Sequence, residues 1–412
     1  MRILYIHQYF TTRDGAGGTR SYEFAKQWVQ RGHQVTIITT DNKLQSYHPV
    51  TQGFFFDKYL IDGITVYAVH VPYSNYMSYF KRMLSFFKFT FYSSLRGLFL
   101  RKYDVVFATS TPLTVGIPAL ILHYFKRKPF VFEVRDLWPE APIQMGAINS
   151  KPVIKLLKAL ERQIYTKATH VIALSPGMRK GVLDEGVAHE KVTVVPNCSD
   201  LDLFKDYDED AVQQISKQYN LRDHFSLIHN GSMGIANGLD YIIEAAKISK
   251  GNNDNIVYIL TGDGKEKPRL EELCEKYQLD NVIFTGKVIK KDIPNYVNAA
   301  DMAITTFKNI PILATNSPNK FFDAIAAGKP VIVNSNGWTK DIVETYENGF
   351  YVNPEEPNEL VEKLHNIKND QVSLQKMGDN SRKLAEKEYD RVKLARDVEN
   401  ILNDVSSRSF TN

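Results

Sequence analysis

The chain reads as an α/β protein of two domains, each built on a mostly parallel sheet, with the ends of the two sheets facing across a cleft. Three observations predict it. Short apolar runs alternate with helical patterns along almost the whole length, the signature of strand–helix–strand units. The alternation breaks once, around residues 196–212, and then restarts. The length of 412 residues exceeds one ordinary domain and fits two of roughly 200 each.

In the first half, Ile3–Ile6, Val35–Thr39, Thr65–Val69, Val105–Ala108, Phe130–Glu133, Val171–Leu174 and Val192–Val195 have the length and the β-branched or aromatic content of strands. Between several of them Ser21–Gln30, Val115–Phe125 and Pro152–Thr166 carry helical patterns. Residues 199–212 then bring six acids against one base, a composition expected of a surface connection. The second series starts at Ser226–His229 and continues with Val257–Leu260, Val282–Phe284, Met302–Ile304 and Val331–Val333. Domains are expected at 1–198 and 199–389, with a C-terminal helix, 390–412, packing back on the first.

Composition is that of a soluble globular protein, 43% hydrophobic and 24% charged. Cys198 and Cys274 fall in separate halves without metal-ligand spacing, which fits a reducing cytoplasm and predicts no metal site. The N-terminus enters a strand pattern directly, and no run of 18 uncharged apolar residues occurs, so neither a signal peptide nor a spanning helix is expected. The net charge of +4 hides an asymmetry: residues 1–200 carry 25 Lys and Arg against 14 Asp and Glu, and the remainder 26 against 33. The basic first half predicts an anionic surface as partner; no motif supports nucleic acid. Segment 76–103 sharpens this, setting Lys81, Arg82, Lys88, Arg96, Arg101 and Lys102 among many Phe and Tyr without one acid. Two readings stay open: a helix lying on anionic lipid, or a crossover helix whose stripe of Phe80, Leu84, Phe87 and Phe91 packs on the sheet.

The most informative stretch is 317–333. Pro318 suits a helix start, Gly328 its end, and Pro330 follows two residues beyond. Lys320 and Asp323, three apart, share a helix face near the N-terminus, where backbone N–H groups favour anions. A cation for phosphate beside an acid for sugar hydroxyls suggests a nucleotide-sugar. Three further places carry candidate chemistry. The loop holding Gly15, Gly17 and Gly18 follows the first strand, with Arg20 where a dinucleotide fingerprint needs its third glycine. Arg20 is read either as available to an anion or as a surface arginine of a turn. Glu133, Arg135 and Asp136 end a strand, where functional side chains project in parallel sheets, although an Arg135 ion pair that merely orders the loop fits too. Gly231, Gly234 and Gly238 link a strand to a helix and permit close approach of phosphate.

Taken in order, these pieces resemble glycosyltransferase family 4. The resemblance rests on Gly17-Gly18, Arg135-Asp136, Pro196-Asn197, Gly231 to Leu239, Gly262 to Gly264, Val282 to Gly286, Ala300-Asp301, and Lys320 to Val331. It implies two Rossmann-like domains in the GT-B arrangement and a retaining, metal-independent transfer from a UDP-sugar. Residues 133–140 and 317–320 look most like N-acetyl-L-fucosaminyltransferases of capsule and O-antigen synthesis. That implies a deoxy-amino-sugar donor and a polyprenyl-diphosphate-linked acceptor on the inner face of a bacterial membrane.

By the same resemblance Asp136, Arg135, Glu133 and Lys320 are the catalytic candidates. Gly17, Gly18, Arg20, Gly231, Ser232, Asn237, Lys287, Val288, Asn319, Lys320 and Asp323 are the donor-binding set. Three departures stand out: Thr315 occupies the first position of the family's glutamate pair, Ser232 and Asn237 stand where two cations are usual, and Arg135 replaces a histidine. Lys320 is thus the principal cation for the diphosphate. A UDP-sugar 2-epimerase and a non-catalytic nucleotide-sugar-binding module are the competing readings.

Overall fold

A computed structural model describes residues 1–72 and 77–408. The first sheet contains β1 (Arg2–Ile6), β2 (Gln34–Thr40), β3 (Phe56–Ile61), β4 (Ile64–Val69), β5 (Val105–Thr109), β6 (Phe130–Val134), β7 (His170–Ala173) and β8 (Val192–Val194). Their spatial order is β3-β4-β2-β1-β5-β6-β7-β8, and all pairs are parallel except the edge hairpin β3–β4. The second sheet contains β9 (Phe225–Asn230), β10 (Ile256–Thr261), β11 (Val282–Gly286), β12 (Met302–Thr305), β13 (Val331–Val333) and β14 (Gly349–Tyr351). It is wholly parallel, in the order β11-β10-β9-β12-β13-β14.

Strands such as β5 and β6 are buried along their whole length, because helices cover both faces; hence their unbroken apolar runs. In each sheet the winding reverses beside the first strand: β1 lies between β2 and β5, and β9 between β10 and β12. Crevices form at the carboxyl ends of strands at such reversals, so the fold directs ligands to the loops after β1, β5, β9 and β12.

Two strands escaped the sequence reading. β3 carries Asp57 and Lys58, charges typical of an exposed edge, and β14 has only three residues. The acidic stretch 199–212 also differs from a plain surface connection. It forms helices Leu201–Lys205 and Glu209–Gln218, the latter capped by Asp208, whose Oδ1 accepts from Ala211 N at 3.0 Å. Asp200 is buried and paired with Arg391 and Lys290.

The helix Arg391–Arg408 lies against the first sheet's helix Arg20–Gln30. Trp28 Nε1 donates to the Ala395 carbonyl at 2.9 Å, Arg31 pairs with Glu399 at 2.6 Å, and Leu394, Val398 and Leu402 share a core with Phe24 and Trp28. Residues 409–412 of the expected helix lie outside the described residues, as does Tyr76 of the basic aromatic segment.

That segment forms the helix Tyr79–Phe99, which buries Phe86 and Phe89. The stripe of Phe80, Leu84, Phe87 and Phe91 is 77, 46, 56 and 63% exposed, so it is not the core face. Ser85, Ser93 and Ser94, small enough for close helix packing, are buried instead. Among the described residues no helix is long and apolar enough to cross a membrane.

Candidate active site

A cavity of about 520 Å³ opens between the domains at the strand ends. The first domain lines it with His7, Tyr9, Gly18, Lys43, Ser110, Thr111, Arg135 and Asp136; the second contributes Ser232, Phe307 and Asn316–Asn319, with Asn197 between them. His7 directly follows β1 and Ser110 follows β5, the strands at the winding reversal, and Arg135 follows the neighbouring β6.

The domains meet around this space. Asn197 N donates to Ser317 Oγ at 3.1 Å and its Nδ2 to the Ser317 carbonyl at 2.5 Å. Ser175 Oγ donates to the Thr315 carbonyl while accepting from Met178 N at the start of its own helix. Leu137 packs in one apolar cluster with Phe307, Ile312 and Leu313 of the second domain. On the other side the Gly15 carbonyl accepts from Lys290 N at 3.0 Å and the Arg13 carbonyl from Lys291 N at 3.2 Å. The glycine loop is thereby tied to the loop after β11 by main-chain bonds.

Within the cavity Asp136 Oδ2 accepts from Thr111 Oγ1 at 2.7 Å, and burial raises its pKa. The Arg135 backbone N–H donates to Ser110 Oγ at 2.9 Å, leaving its guanidinium toward the cavity. His7 Nδ1 lies 2.8 Å from Ser21 Oγ; burial, then the charges of Arg135 and Lys43, hold its pKa well below the usual range, so it is neutral.

Lys320 extends from the first turn of the helix Asn319–Ala326 to Asn237 Oδ1 at 2.5 Å, and Asn237 Nδ2 in turn donates to the Ser232 carbonyl at 2.8 Å. Gly231 lies beside it: a Cβ there would stand 3.6 Å from Lys320 Cε. Burial without a carboxylate partner pushes the Lys320 ammonium down to about 7. Asn319 lines the cavity, and Ser232 faces it from an exposed position.

Asp323 is placed differently from a free carboxylate. Lys290 Nζ sits 2.5 Å from its Oδ1, and Asn230 Nδ2 donates to its Oδ2 at 3.3 Å. The pair continues through Asp200 to Arg391 and Glu23, a buried chain of alternating charges across the domain junction.

Two expected residues are turned away from the cavity. Arg20 and Glu133 bond each other at 2.9 Å with side chains 1 and 0% exposed. Arg20 also donates to the carbonyls of Pro196 and Val195, and Glu133 accepts from Thr109 Oγ1 at 3.0 Å. All their polar atoms are spent on each other, on Thr109 of β5 and on the carbonyls just after β8, so neither reaches a ligand in this arrangement. Lys287 is exposed and Val288 half-buried; both stand just outside the cavity lining.

Sequence reasoning missed His7, Tyr9, Lys43, Ser110, Thr111, Phe307 and Asn316 as lining residues. His7, Ser110, Thr111 and Phe307 lie within two residues of strand ends, a signal that could have found them. Lys43, from the short turn after β2, had none.

Residues 15–198 match the family described as Glycosyl transferase 4-like domain, and residues 209–384 match Glycosyl transferases group 1. The chain therefore belongs to the glycosyltransferases, with a glycosyl transferase 4-like domain followed by a group 1 domain in the GT-B fold. It is 23% identical over 358 residues to the Escherichia coli K12 protein assigned to colanic acid biosynthesis as the glycosyl transferase WcaI, covering 84% of this chain and 86% of that one. Among solved structures, sucrose-phosphate synthase from Thermosynechococcus elongatus superimposes with a TM-score of 0.77 at 18% identity, over 99% of both chains. HepE of Anabaena, solved in complex with UDP and glucose, superimposes with a TM-score of 0.72 at 19% identity, over 97% of this chain and 99% of that one.

Proposed function

We propose that this glycosyltransferase moves a sugar from a UDP-sugar to a polyprenyl-diphosphate-linked saccharide during assembly of a bacterial surface polysaccharide. The observation that carries the reading is the polar interdomain cavity, lined by Lys43, Arg135 and Asp136 and bounded by strand ends of both sheets. Transfer proceeds with retention and without a metal, as the family resemblance implies. The charge developing on the departing UDP is met by Lys320 and by the backbone N–H groups near Ser232. Gly17, Gly18, Gly231, Asn237 and Asn319 shape the donor side, and the backbone of Lys287 and Val288 faces the base.

Asp323 takes the ribose hydroxyls, exchanging at least one of its present hydrogen bonds to do so. Asp136 lies on the acceptor side, where its raised pKa suits a carboxylate that assists removal of the acceptor proton. The donor is a deoxy-amino-sugar such as N-acetyl-L-fucosamine, on the likeness of residues 133–140 and 317–320 to the fucosaminyltransferases. Relatedness to WcaI supports the polysaccharide context. The acceptor side is residues 1–198, joined by the C-terminal helix, and the donor side 199–389.

The acceptor's lipid gives the exposed aromatic stripe a use. Phe80, Phe87 and Phe91, flanked by Lys81, Arg82 and Lys88, form an apolar face with a basic rim. Such a face holds the enzyme on the cytoplasmic face of an anionic membrane.

A mass-spectrometric screen of UDP- and GDP-sugars against lipid-diphosphate-linked sugars tests the reading, scoring glycosylated lipid and free UDP together. Product with UDP release supports it. A rearranged UDP-sugar formed without acceptor would identify an epimerase, and UDP binding without turnover on any acceptor a binding module.

A further inference from the structure

Two cations of the first domain flank the glycine pair at the cavity wall. A Cβ on Gly17 would stand 3.1 Å from Lys43 Nζ, and one on Gly18 would stand 2.7 Å from Asn319 Nδ2 and 3.5 Å from Arg135 Nη2. The two glycines thus let one ammonium, one guanidinium and one amide converge on the same few ångströms of backbone. Lys43 and Arg135 both line the cavity. Neither joins an ion pair among the described residues, whereas the nearby Arg20 and Lys290 each sit on a carboxylate. The nearest hydrogen bond of Lys43 is a long one, 3.4 Å to the Ala16 carbonyl. Burial, then the neighbouring Lys287 and Arg135, press its pKa down. The two positive charges repel one another in a half-buried cleft where neither forms an ion pair among the described residues, and an anion bound between them relieves that.

On the far wall stands Ser232, and behind it Asn237 joins the Ser232 carbonyl to Lys320; the positions of Ser232 and Asn237 are those where a diphosphate would otherwise find cations. We infer that Lys43 and Arg135, reaching across the cleft from the first domain, grip the diphosphate of the donor and supply the positive charge that the second domain's loop lacks. The inference rests on the UDP-sugar reading above and deepens it. It also makes the donor a clasp, because its diphosphate then bonds cations of one domain while its nucleoside lies on the other.

Calorimetric titration of the full-length protein with UDP and with uridine tests this, since only UDP carries the diphosphate. In the native protein UDP should bind far more tightly than uridine, and the advantage should fall as salt is raised. Lys43→Met and Arg135→Met should each weaken UDP about 10- to 100-fold and leave uridine unchanged. Lys43→Arg should keep most of the advantage. Inorganic pyrophosphate should displace UDP from the native protein, a measurement that needs no variant. If Lys43→Met retains the full advantage of UDP over uridine, or loses both ligands equally, the clasp is overturned while the donor class stands. If the native protein binds UDP no better than uridine, the clasp is again overturned. If it binds neither, the donor class itself falls.

Discussion

Lys320 and Asp323 share one helix face, yet burial treats them oppositely. The Lys320 ammonium, with only neutral partners, is depressed to about 7. Near pH 8 it is therefore mostly neutral in the free protein, and a bound diphosphate must recharge it. UDP binding at pH 8 should take up a proton, visible as a binding heat that varies with buffer ionisation. UDP affinity should fall as pH rises above 7, because the neutral amine must first take up a proton that becomes scarcer with each pH unit. Lys320→Ala should remove most of both effects, leaving what Lys43 contributes, and cost about 2–4 kcal/mol of barrier, roughly 30- to 1,000-fold in kcat/KM. Asp323, in contrast, has Lys290 at 2.5 Å, both side chains under a tenth exposed. Lys290→Met leaves a buried carboxylate without its cation and should destabilise the protein by about 3–5 kcal/mol. In a denaturant titration the double variant Lys290→Met, Asp323→Asn should recover much of that loss; equal losses would refute direct coupling.

The helix Tyr79–Phe99 shows how an element can satisfy two solvents. Its inner face buries Phe86 and Phe89 with small hydroxyl residues between, while Phe80, Phe87 and Phe91 project outward. The outer aromatic patch extends to the β3 side, where Phe55 lies 5.1 Å from Tyr92 and Phe54 is exposed. Replacing Phe80, Phe87 and Phe91 by Ser should leave the melting temperature within a few degrees, since these rings contribute little to the core. The same change should release the protein from vesicles containing anionic lipid in a flotation assay. Unchanged binding would remove the stripe from membrane attachment. Periodicity alone could not choose between this face and the core face, because both repeat at helical spacing and both are aromatic.

At the scale of the whole molecule, the domain junction is built from polar contacts and one apolar cluster. The helix Arg391–Arg408 crosses back to the first domain and inserts Leu402, fully buried, beside Trp28 and Phe24. Leu402→Ala should cost about 2–5 kcal/mol, measured as a shift of the unfolding transition that the first domain's Trp28 reports. Asn197, whose two bonds to Ser317 cross the cavity rim, holds the two domains in register. Asn197→Ala should lower kcat more than it alters UDP affinity, because it loosens the placement of the first domain's groups against the donor without removing a donor-binding residue.

The alternation of apolar runs and helical patterns, the break near residue 200 and the order of short motifs were enough to determine two parallel α/β domains and the glycosyltransferase class. Those signals are local, and strand burial imposes them residue by residue. Asp136, Arg135 and Asn319 are legible as cavity-lining residues because they sit at strand and helix ends. Tertiary structure alone decided which charges are free. The sequence singles out Arg20 and Glu133 and passes over Lys43, but the fold spends the first two on each other and Arg20 also on the carbonyls after β8. Among the described residues Lys43 makes no ion pair and lies near Arg135. Pairing depends on which strand ends become neighbours across more than 100 residues of chain, as between Arg20 and Glu133, and no local pattern carries that information.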